Sequence, residues 1–190
     1  MNIVAVIVGG YIAFSLELGL RNALAIGSGG AAPSFVFVLC MILAIGSPAN
    51  LVLWTCLIFG LITDLTWPHE IKGGAASVTL VGPYALGYMI AGQFVLLLRS
   101  QIIKRNPFSL AFLCLFGFAV AQIMVVFIYT ARSGYTSVIV WEPTHQLISR
   151  MVSALYTGVL GLLVGLVAGP ISAALGLHQP AQRRHARPIY

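Results

Sequence analysis

The chain has 190 residues, of which 59% are hydrophobic and only 7% are charged, and its formal net charge is +6. The mean hydropathy of +0.99 excludes a soluble globular domain, in which about a quarter of the residues are charged. Because the apolar segments are long and do not alternate with polar residues, the sequence predicts membrane-spanning α-helices rather than the strands of a β-barrel.

Glycine, proline and charged residues divide the chain into six predicted transmembrane helices, at about 20 residues for each crossing. The predicted spans are 2–20, 31–45, 49–65, 75–98, 108–130 and 147–175. They form one all-α membrane domain over residues 1–177, and a basic tail over 178–190 follows. Gly46-Ser47-Pro48 predicts a tight turn between the second and third helices, which are short and antiparallel.

Basic residues in the loops predict the orientation, because cytoplasmic loops retain lysine and arginine. The side that carries both termini has six basic residues, and the opposite side has four. The six are Arg99, Lys104, Arg105, Arg183, Arg184 and Arg187; the four are Arg21, Lys72, Arg132 and Arg150. The difference predicts that both termini are cytoplasmic.

Glu17, near the end of the first predicted helix, and Arg21, just after it, have the i, i+4 arrangement that favours an acid-to-base pair. We interpret this as an ordinary interfacial ion pair at the outer end of the helix. The Glu17 carboxylate is one of only two acids that fall within the predicted spans.

Asp64 is the other acid, and it ends a stretch without charged residues that begins at position 22. Lipid solvates a carboxylate poorly, and an acid at a helix C-terminus opposes the helix dipole, so a compensating partner is expected. The same-side candidates are Lys72, Arg21, Arg132 and Arg150. Gly60 lies one turn earlier on the same face. Two interpretations stay open: a buried contact that fixes helix packing, and an interfacial acid that is merely solvated.

Small and polar residues mark the later helices. Pro83 is expected to kink the fourth helix, and Gln93 and Gln122 are expected to bridge helices rather than bind ligands. The last helix presents small residues at spacings of three and four, a pattern that lets another helix approach closely. They are Ala154, Gly158, Gly161, Gly165 and Gly169. This stripe predicts either packing within the chain or a contact face for a partner.

Motifs for chemistry are missing from the sequence, which has no phosphate loop, HExxH, GxSxG or dinucleotide fingerprint. A zinc site can be drawn from His69, Glu70, Glu142 and His145, and the spacing of Glu142 and His145 suits one, but no second ligand pair of characteristic spacing supports it. Pro143 is instead expected to start the last helix. The sequence predicts neither an enzyme nor a cofactor.

The basic tail is predicted to anchor the topology or to attract anionic lipids. Because it is short and lacks interleaved aromatic residues, nucleic-acid binding is not predicted. The three cysteines, Cys40, Cys56 and Cys114, show no paired spacing, and we interpret them as small packing residues.

Several segments in the first half of the chain resemble the bacterial rod shape-determining protein MreD. They are Pro33-Ser34-Phe35, Phe59-Gly60-Leu61-Ile62-Thr63-Asp64-Leu65, Gly73-Gly74 and Ser77-Val78-Thr79-Leu80-Val81-Gly82-Pro83-Tyr84. The match covers about residues 32–98. The chain departs from the MreD pattern at Trp67-Pro68-His69-Glu70-Ile71-Lys72, where that family has a shorter turn.

The resemblance implies a six-helix fold similar to the substrate-binding subunit of energy-coupling-factor transporters, in the bacterial inner membrane. It also implies a non-catalytic scaffold of the cell-elongation machinery that binds an MreC-like protein through its helix faces. Further implied partners are the peptidoglycan glycosyltransferase and transpeptidase pair and an MreB-like filament. Gly60, Asp64, Gly73 and Gly74 would form the packing motif, and the glycine stripe of the last helix would be a contact face.

A second function remains open, because one fold hosts many activities. The chain could be a transporter-type subunit that binds a small molecule in a pocket between its helices. Such a pocket needs several convergent polar groups. The sequence offers Asn50, Asp64, Gln93 and Gln122 for it.

Overall fold

A computed structural model describes residues 3–26, 30–66, 69–70, 77–99, 107–135 and 143–174. Within these residues the chain forms six helices and one short antiparallel hairpin. The helices are α1 (Ile3–Leu24), α2 (Phe35–Gly46), α3 (Ala49–Thr66), α4 (Pro83–Leu98), α5 (Pro107–Tyr135) and α6 (Pro143–Ala174). The hairpin strands are β1 (His69–Glu70) and β2 (Ser77–Val78).

The protein is a helical, membrane-embedded protein. Among the described residues, four helices are long and apolar enough to cross a bilayer, namely Ile3–Leu24, Ala49–Thr66, Phe108–Gly134 and Thr144–Val167. The other two, α2 with 12 residues and α4 with 16, are apolar but shorter than a typical span. Six helices are described, as predicted, but the prediction of six membrane spans is supported only for the four long helices.

The short helix α2 lies at the centre of the bundle, where it contacts all five other helices. Its Phe37 is completely buried and packs edge-on against Tyr88 of α4, with ring centroids 5.1 Å apart. The ring centroid of Phe118 on α5 lies 4.9 Å from that of Phe37. A helix that is apolar on all sides is stable when protein surrounds it, and this explains why α2 is uniformly hydrophobic.

The fourth helix begins at Pro83, so its predicted start near residue 75 and the predicted kink at Pro83 are wrong. Gly82 adopts a φ of +127°, which favours glycine and interrupts the helical path. Pro83 then occupies the first helical position, where its missing N–H removes no helical hydrogen bond. Upstream, Ser77 and Val78 pair with β1 instead of extending the helix.

Consecutive helices run antiparallel, and the turn between α2 and α3 is as tight as predicted, since it contains only two residues, 47 and 48. As a result, the ends of α1, α3 and α5 meet the beginnings of α2, α4 and α6 at the same end of the bundle. We name this the polar end, because the buried polar side chains Glu17, Asp64 and Gln122 lie there.

Candidate functional site

Asp64 lies in the last turn of α3, is only 2% exposed, and faces the beginning of α4. Its Oδ2 accepts hydrogen bonds from the backbone N–H groups of Gly82, at 2.9 Å, and Ala85, at 3.1 Å. Its Oδ1 accepts one from the N–H of Tyr84, at 2.9 Å. The first N–H groups of a helix have no partner within that helix. Asp64 therefore caps α4 from a neighbouring helix, and the positive end of the α4 dipole favours its charge.

The compensating partner that the sequence required for Asp64 is thus the backbone of α4. The predicted candidates were basic side chains, but the three hydrogen bonds above already involve both carboxylate oxygens. The interpretation of Asp64 as a merely solvated interfacial acid is wrong, because the side chain is buried.

Gly60 brings the two backbones close enough for this cap to form. A Cβ atom built at Gly60 would lie 2.6 Å from the Cα of Ala85 and 2.6 Å from the carbonyl oxygen of Tyr84. Both neighbours are backbone atoms, so no side-chain rotation would relieve the overlap. Gly60 and Asp64 together dock α3 on the first turn of α4. Gly73 and Gly74, which the sequence grouped with them, lie outside the described residues.

Glu17 makes an equivalent connection between α1 and α2. Glu17 is 8% exposed, and its Oε2 accepts hydrogen bonds from the N–H of Val36 and the hydroxyl of Ser34, both at 3.0 Å. Ser34 is itself the N-cap of α2, since its Oγ accepts from the N–H of Phe37 at 3.2 Å. The predicted interfacial position of the Glu17 carboxylate is therefore wrong, because α2 buries it, whereas the predicted electrostatic interaction with Arg21 is present.

The two acids thus play the same role in consecutive helix pairs. Glu17 bonds an amide 19 residues later in the chain, and Asp64 bonds amides 18 to 21 residues later. In both pairs the acid lies in the second half of an apolar helix and caps the helix that returns beside it. The first four helices therefore form two structurally similar hairpins.

Arg150 links the remaining helices at the polar end. Its Nη1 donates to Oε1 of Gln122 on α5, at 2.7 Å, and to the hydroxyl of Tyr84 on α4, at 2.6 Å. The guanidinium carbon also lies 5.5 Å from the centroid of the Tyr84 ring, within range of a cation–π interaction. The prediction that Gln122 bridges helices is confirmed, whereas Gln93 is exposed.

A cavity of about 100 Å³ opens among these groups. The charged residues that line it are Glu17, Arg21 and Arg150. The neutral polar residues that line it include Ser34, Gln122, Gln146, Ser149 and Ser153. A concave site with a few convergent polar groups is typical of small-molecule binding. Of the four side chains that the sequence offered for a pocket, Gln122 lines this one, while Asp64 is engaged with α4.

The glycine stripe of α6 is buried within the same chain at three of its positions, and at two of them it faces α5. Ala154 is 1% exposed. A Cβ at Gly158 would lie 2.9 Å from Cβ of Leu115, and one at Gly161 would lie 2.7 Å from Sγ of Cys114. At these positions the predicted partner face is covered, because the small residues let α5 approach. Gly165 is half-buried, and the surroundings of Gly169 lie outside the description.

Other predicted groups fall partly or wholly beyond the described residues. Of the four zinc-site candidates, Glu142 and the side chains of His69 and Glu70 lie outside the description. Among the described residues, no group of three or more histidine, cysteine, aspartate or glutamate side chains could hold a metal ion. The tail 178–190 also lies outside the description. Pro143 begins α6, as predicted.

Sequence analysis missed Glu17 and Arg150 as site residues. Both lie in apolar helices, and their partners are on helices distant in the sequence. One signal was available: Ser34 immediately precedes the apolar helix α2, as an N-cap does. A buried acid near that cap would then have been expected.

Comparisons of the chain with protein-family models, with characterised proteins and with solved structures find no match.

Proposed function

We propose that this protein is a non-catalytic scaffold of the bacterial cell-elongation machinery, located in the inner membrane with both termini in the cytoplasm. The observation that carries the proposal is the contact between α3 and α4 that Gly60 and Asp64 form. Gly60 and Asp64 belong to the segment with the most detailed resemblance to MreD, and here they have a structural use that requires both residue types. A motif that fixes helix geometry is what a scaffold needs.

The use of the acids also supports a non-catalytic role. Intramembrane hydrolysis by acids requires two carboxylates that face one reacting group. Glu17 and Asp64 are instead bonded to the starts of two different helices. Each oxygen that accepts a backbone N–H is held in a fixed direction, which suits packing more than proton transfer.

In the proposed topology α2 and α4 complete a six-span bundle, as in the substrate-binding subunit of energy-coupling-factor transporters. The surrounding helices shield α2, so its 12 residues need not match the full thickness of the bilayer. Loop charge gives the orientation, since six basic residues lie on the side of the termini and four on the other.

The contact face that we assign to an MreC-like partner is the outer face of α1, defined by Val4, Val8 and Tyr11. Their side chains are 61%, 51% and 76% exposed, respectively. Tyr11 lies near the middle of α1, where a phenol hydroxyl facing lipid would lack a hydrogen-bond partner. A polar group on a partner helix would satisfy it.

Photo-crosslinking in the native membrane tests this assignment. We expect a photoreactive phenylalanine at position 11 to crosslink to the MreC-like protein. The matched control is position 127, where Phe127 is 64% exposed on α5. Crosslinking to that protein from position 127 but not from position 11 would move the interface away from α1.

The second candidate, a small-molecule-binding subunit of a transporter, is favoured by the polar cavity. Purification from native membranes in a mild detergent separates the two functions. Recovery of an MreC-like protein, with the peptidoglycan-synthesising pair or an MreB-like filament, supports the scaffold. Recovery of paired ATPases with a coupling subunit would instead establish the transporter.

A further inference from the structure

The side chain of Gln122 has a hydrogen-bonding end that the described part of the protein does not use. Gln122 is only 3% exposed, and its Oε1 accepts a hydrogen bond from Nη1 of Arg150 at 2.7 Å. Because a guanidinium carries donors only, the oxygen of the carboxamide must face Arg150, and its NH2 group, Nε2, points away. Among the described residues, no group accepts a hydrogen bond from this Nε2.

The Nε2 group of Gln122 is reached from the cavity at the polar end. It is not one of the completely enclosed, unsatisfied side-chain atoms of the described residues, so it retains accessible surface. Gln122 lines the cavity, and almost all of the rest of its surface is buried. An acceptor oxygen placed in the cavity would therefore satisfy a donor that is costly to leave without a partner.

A second carboxamide, that of Gln146, reaches the same cavity from the first turns of α6. Gln146 is half-buried and is one of the lining residues. Its carboxamide offers an acceptor oxygen as well as two donor hydrogens. A ligand that carries both an acceptor and a donor, as a primary amide does, could bond to Gln122 with one and to Gln146 with the other.

Charges of both signs line the cavity. The Glu17 carboxylate interacts electrostatically with Arg21, and Arg150 lies on the same wall as Gln122. A ligand with a net charge of either sign would therefore lie close to a side chain of the same sign, which is unfavourable. A neutral, dipolar group does not meet this repulsion.

The size and the apolar walls of the cavity limit what it can hold. About 100 Å³ corresponds to roughly three times the volume of a water molecule in the liquid. The aromatic side chains of Tyr84, Tyr88 and Phe118 line it, and aromatic walls with a few polar groups are typical of small-molecule sites. A carboxamide with a short apolar stem suits this space.

We propose that the cavity binds a small neutral molecule through a terminal carboxamide group. The oxygen of that group accepts from Nε2 of Gln122, and its NH2 group donates to the carboxamide oxygen of Gln146. The proposal does not rest on the scaffold function, because the contact face assigned on α1 contributes no residue to the cavity.

A titration of the purified full-length chain in a neutral detergent, followed by saturation-transfer NMR, tests the site. Propionamide is the probe, and propionate and propylammonium are charged probes of similar size. We expect propionamide to bind with a dissociation constant of about 1–10 mM, since so small a probe makes few contacts, and each charged probe to bind at least tenfold more weakly. Absence of saturable propionamide binding, or a charged probe that binds as tightly, would overturn the proposal.

Variants locate the binding. Gln122→Glu keeps the size of the side chain and an acceptor for Arg150 but replaces the NH2 donor by an oxygen, and we expect the affinity for propionamide to fall at least tenfold. The matched control is Asn50→Asp, the same amide-to-acid change at an exposed position in the first turn of α3, outside the cavity. An acid is favourable at a helix N-terminus, and this variant should bind propionamide as the unaltered protein does.

A second variant keeps the test decisive if Gln122→Glu does not fold. Ser153 lines the cavity, and Ser153→Leu fills it without a change of charge and should abolish propionamide binding. Unchanged affinity in a folded Gln122→Glu or Ser153→Leu protein would refute the site.

Discussion

The Oδ1 atom of Asp64 lies 2.9 Å from the backbone nitrogen of Tyr84, a residue 20 positions later in the chain. The contact joins the last turn of one helix to the first turn of the next. It also connects the two polar features of the molecule, because the Tyr84 side chain accepts a hydrogen bond from Arg150 and lines the cavity. A change at Asp64 is therefore expected to affect both helix docking and the cavity wall.

Replacing Asp64 by alanine should leave the first N–H groups of α4 without acceptors. An unsatisfied buried donor costs about 1–3 kcal/mol, so we expect a lower thermal midpoint in detergent and lower abundance in the membrane. Asparagine should be intermediate, because it retains one acceptor oxygen but turns an NH2 group towards a donor.

The adjacent residue supplies the control for Asp64. Leu65 is 57% exposed, and Leu65→Ala should change the thermal midpoint little. Equal midpoints for Asp64→Ala and Leu65→Ala would show that the cap does not contribute to stability.

Gly60→Ala tests the close approach of α3 and α4. The added methyl group would overlap backbone atoms of Tyr84 and Ala85 at 2.6 Å, and overpacking of this kind costs about 1–3 kcal/mol. Gly19→Ala is the matched control, because a Cβ at Gly19 on α1 meets nothing within 4 Å. We expect only the Gly60 variant to lose thermal stability. A similar response of both variants would contradict the packing role of Gly60.

Helical periodicity alone accounts for part of this arrangement. The apolar segments predict six helices, the Gly-Ser-Pro sequence predicts the turn before α3, and the four-residue spacing places Gly60 and Asp64 on one face. These are local properties, each visible within one or two turns of helix. The small residues of α6 are likewise identifiable as a packing face, because their spacing of three and four residues is a local property.

Periodicity does not reveal which helix end lies opposite a given side chain. Glu17 and Arg21 form a plausible pair within α1, but the start of α2 lies against Glu17 and buries it. Likewise, the apolar segment before Pro83 predicts a longer helix. The backbone conformation of Gly82 and the pairing of β2 with β1 instead keep the residues before Pro83 out of α4. In each case a tertiary contact overrides the local pattern.

Glu17→Ala should loosen the beginning of α2. The N–H of Val36 would lose its acceptor, and Ser34 would lose the carboxylate that its hydroxyl contacts. We expect faster hydrogen exchange at Val36 and Phe37, measured by mass spectrometry on the protein in nanodiscs, and a stability loss of about 1–3 kcal/mol. Glu17→Gln should show a smaller effect, because its amide oxygen can still accept.

Leu18→Ala is the control for the exchange experiment, since Leu18 is next to Glu17 but 52% exposed. Hydrogen exchange at Val36 in the Leu18→Ala variant should match that in the unaltered protein. If exchange at Val36 is the same in Glu17→Ala, then the carboxylate does not cap α2.

The proposed orientation places the polar end, with its cavity, on the outer side of the membrane, because four basic residues lie on that side and six on the other. The native cysteines Cys40, Cys56 and Cys114 are all buried, so they should stay unreactive towards a membrane-impermeant maleimide. We expect Gly73→Cys to react in intact spheroplasts. The control Gln101→Cys, in the loop predicted to be cytoplasmic, should react only after the membrane is opened. Labelling of position 101 with protection of position 73 would reverse the topology and place the cavity on the cytoplasmic side.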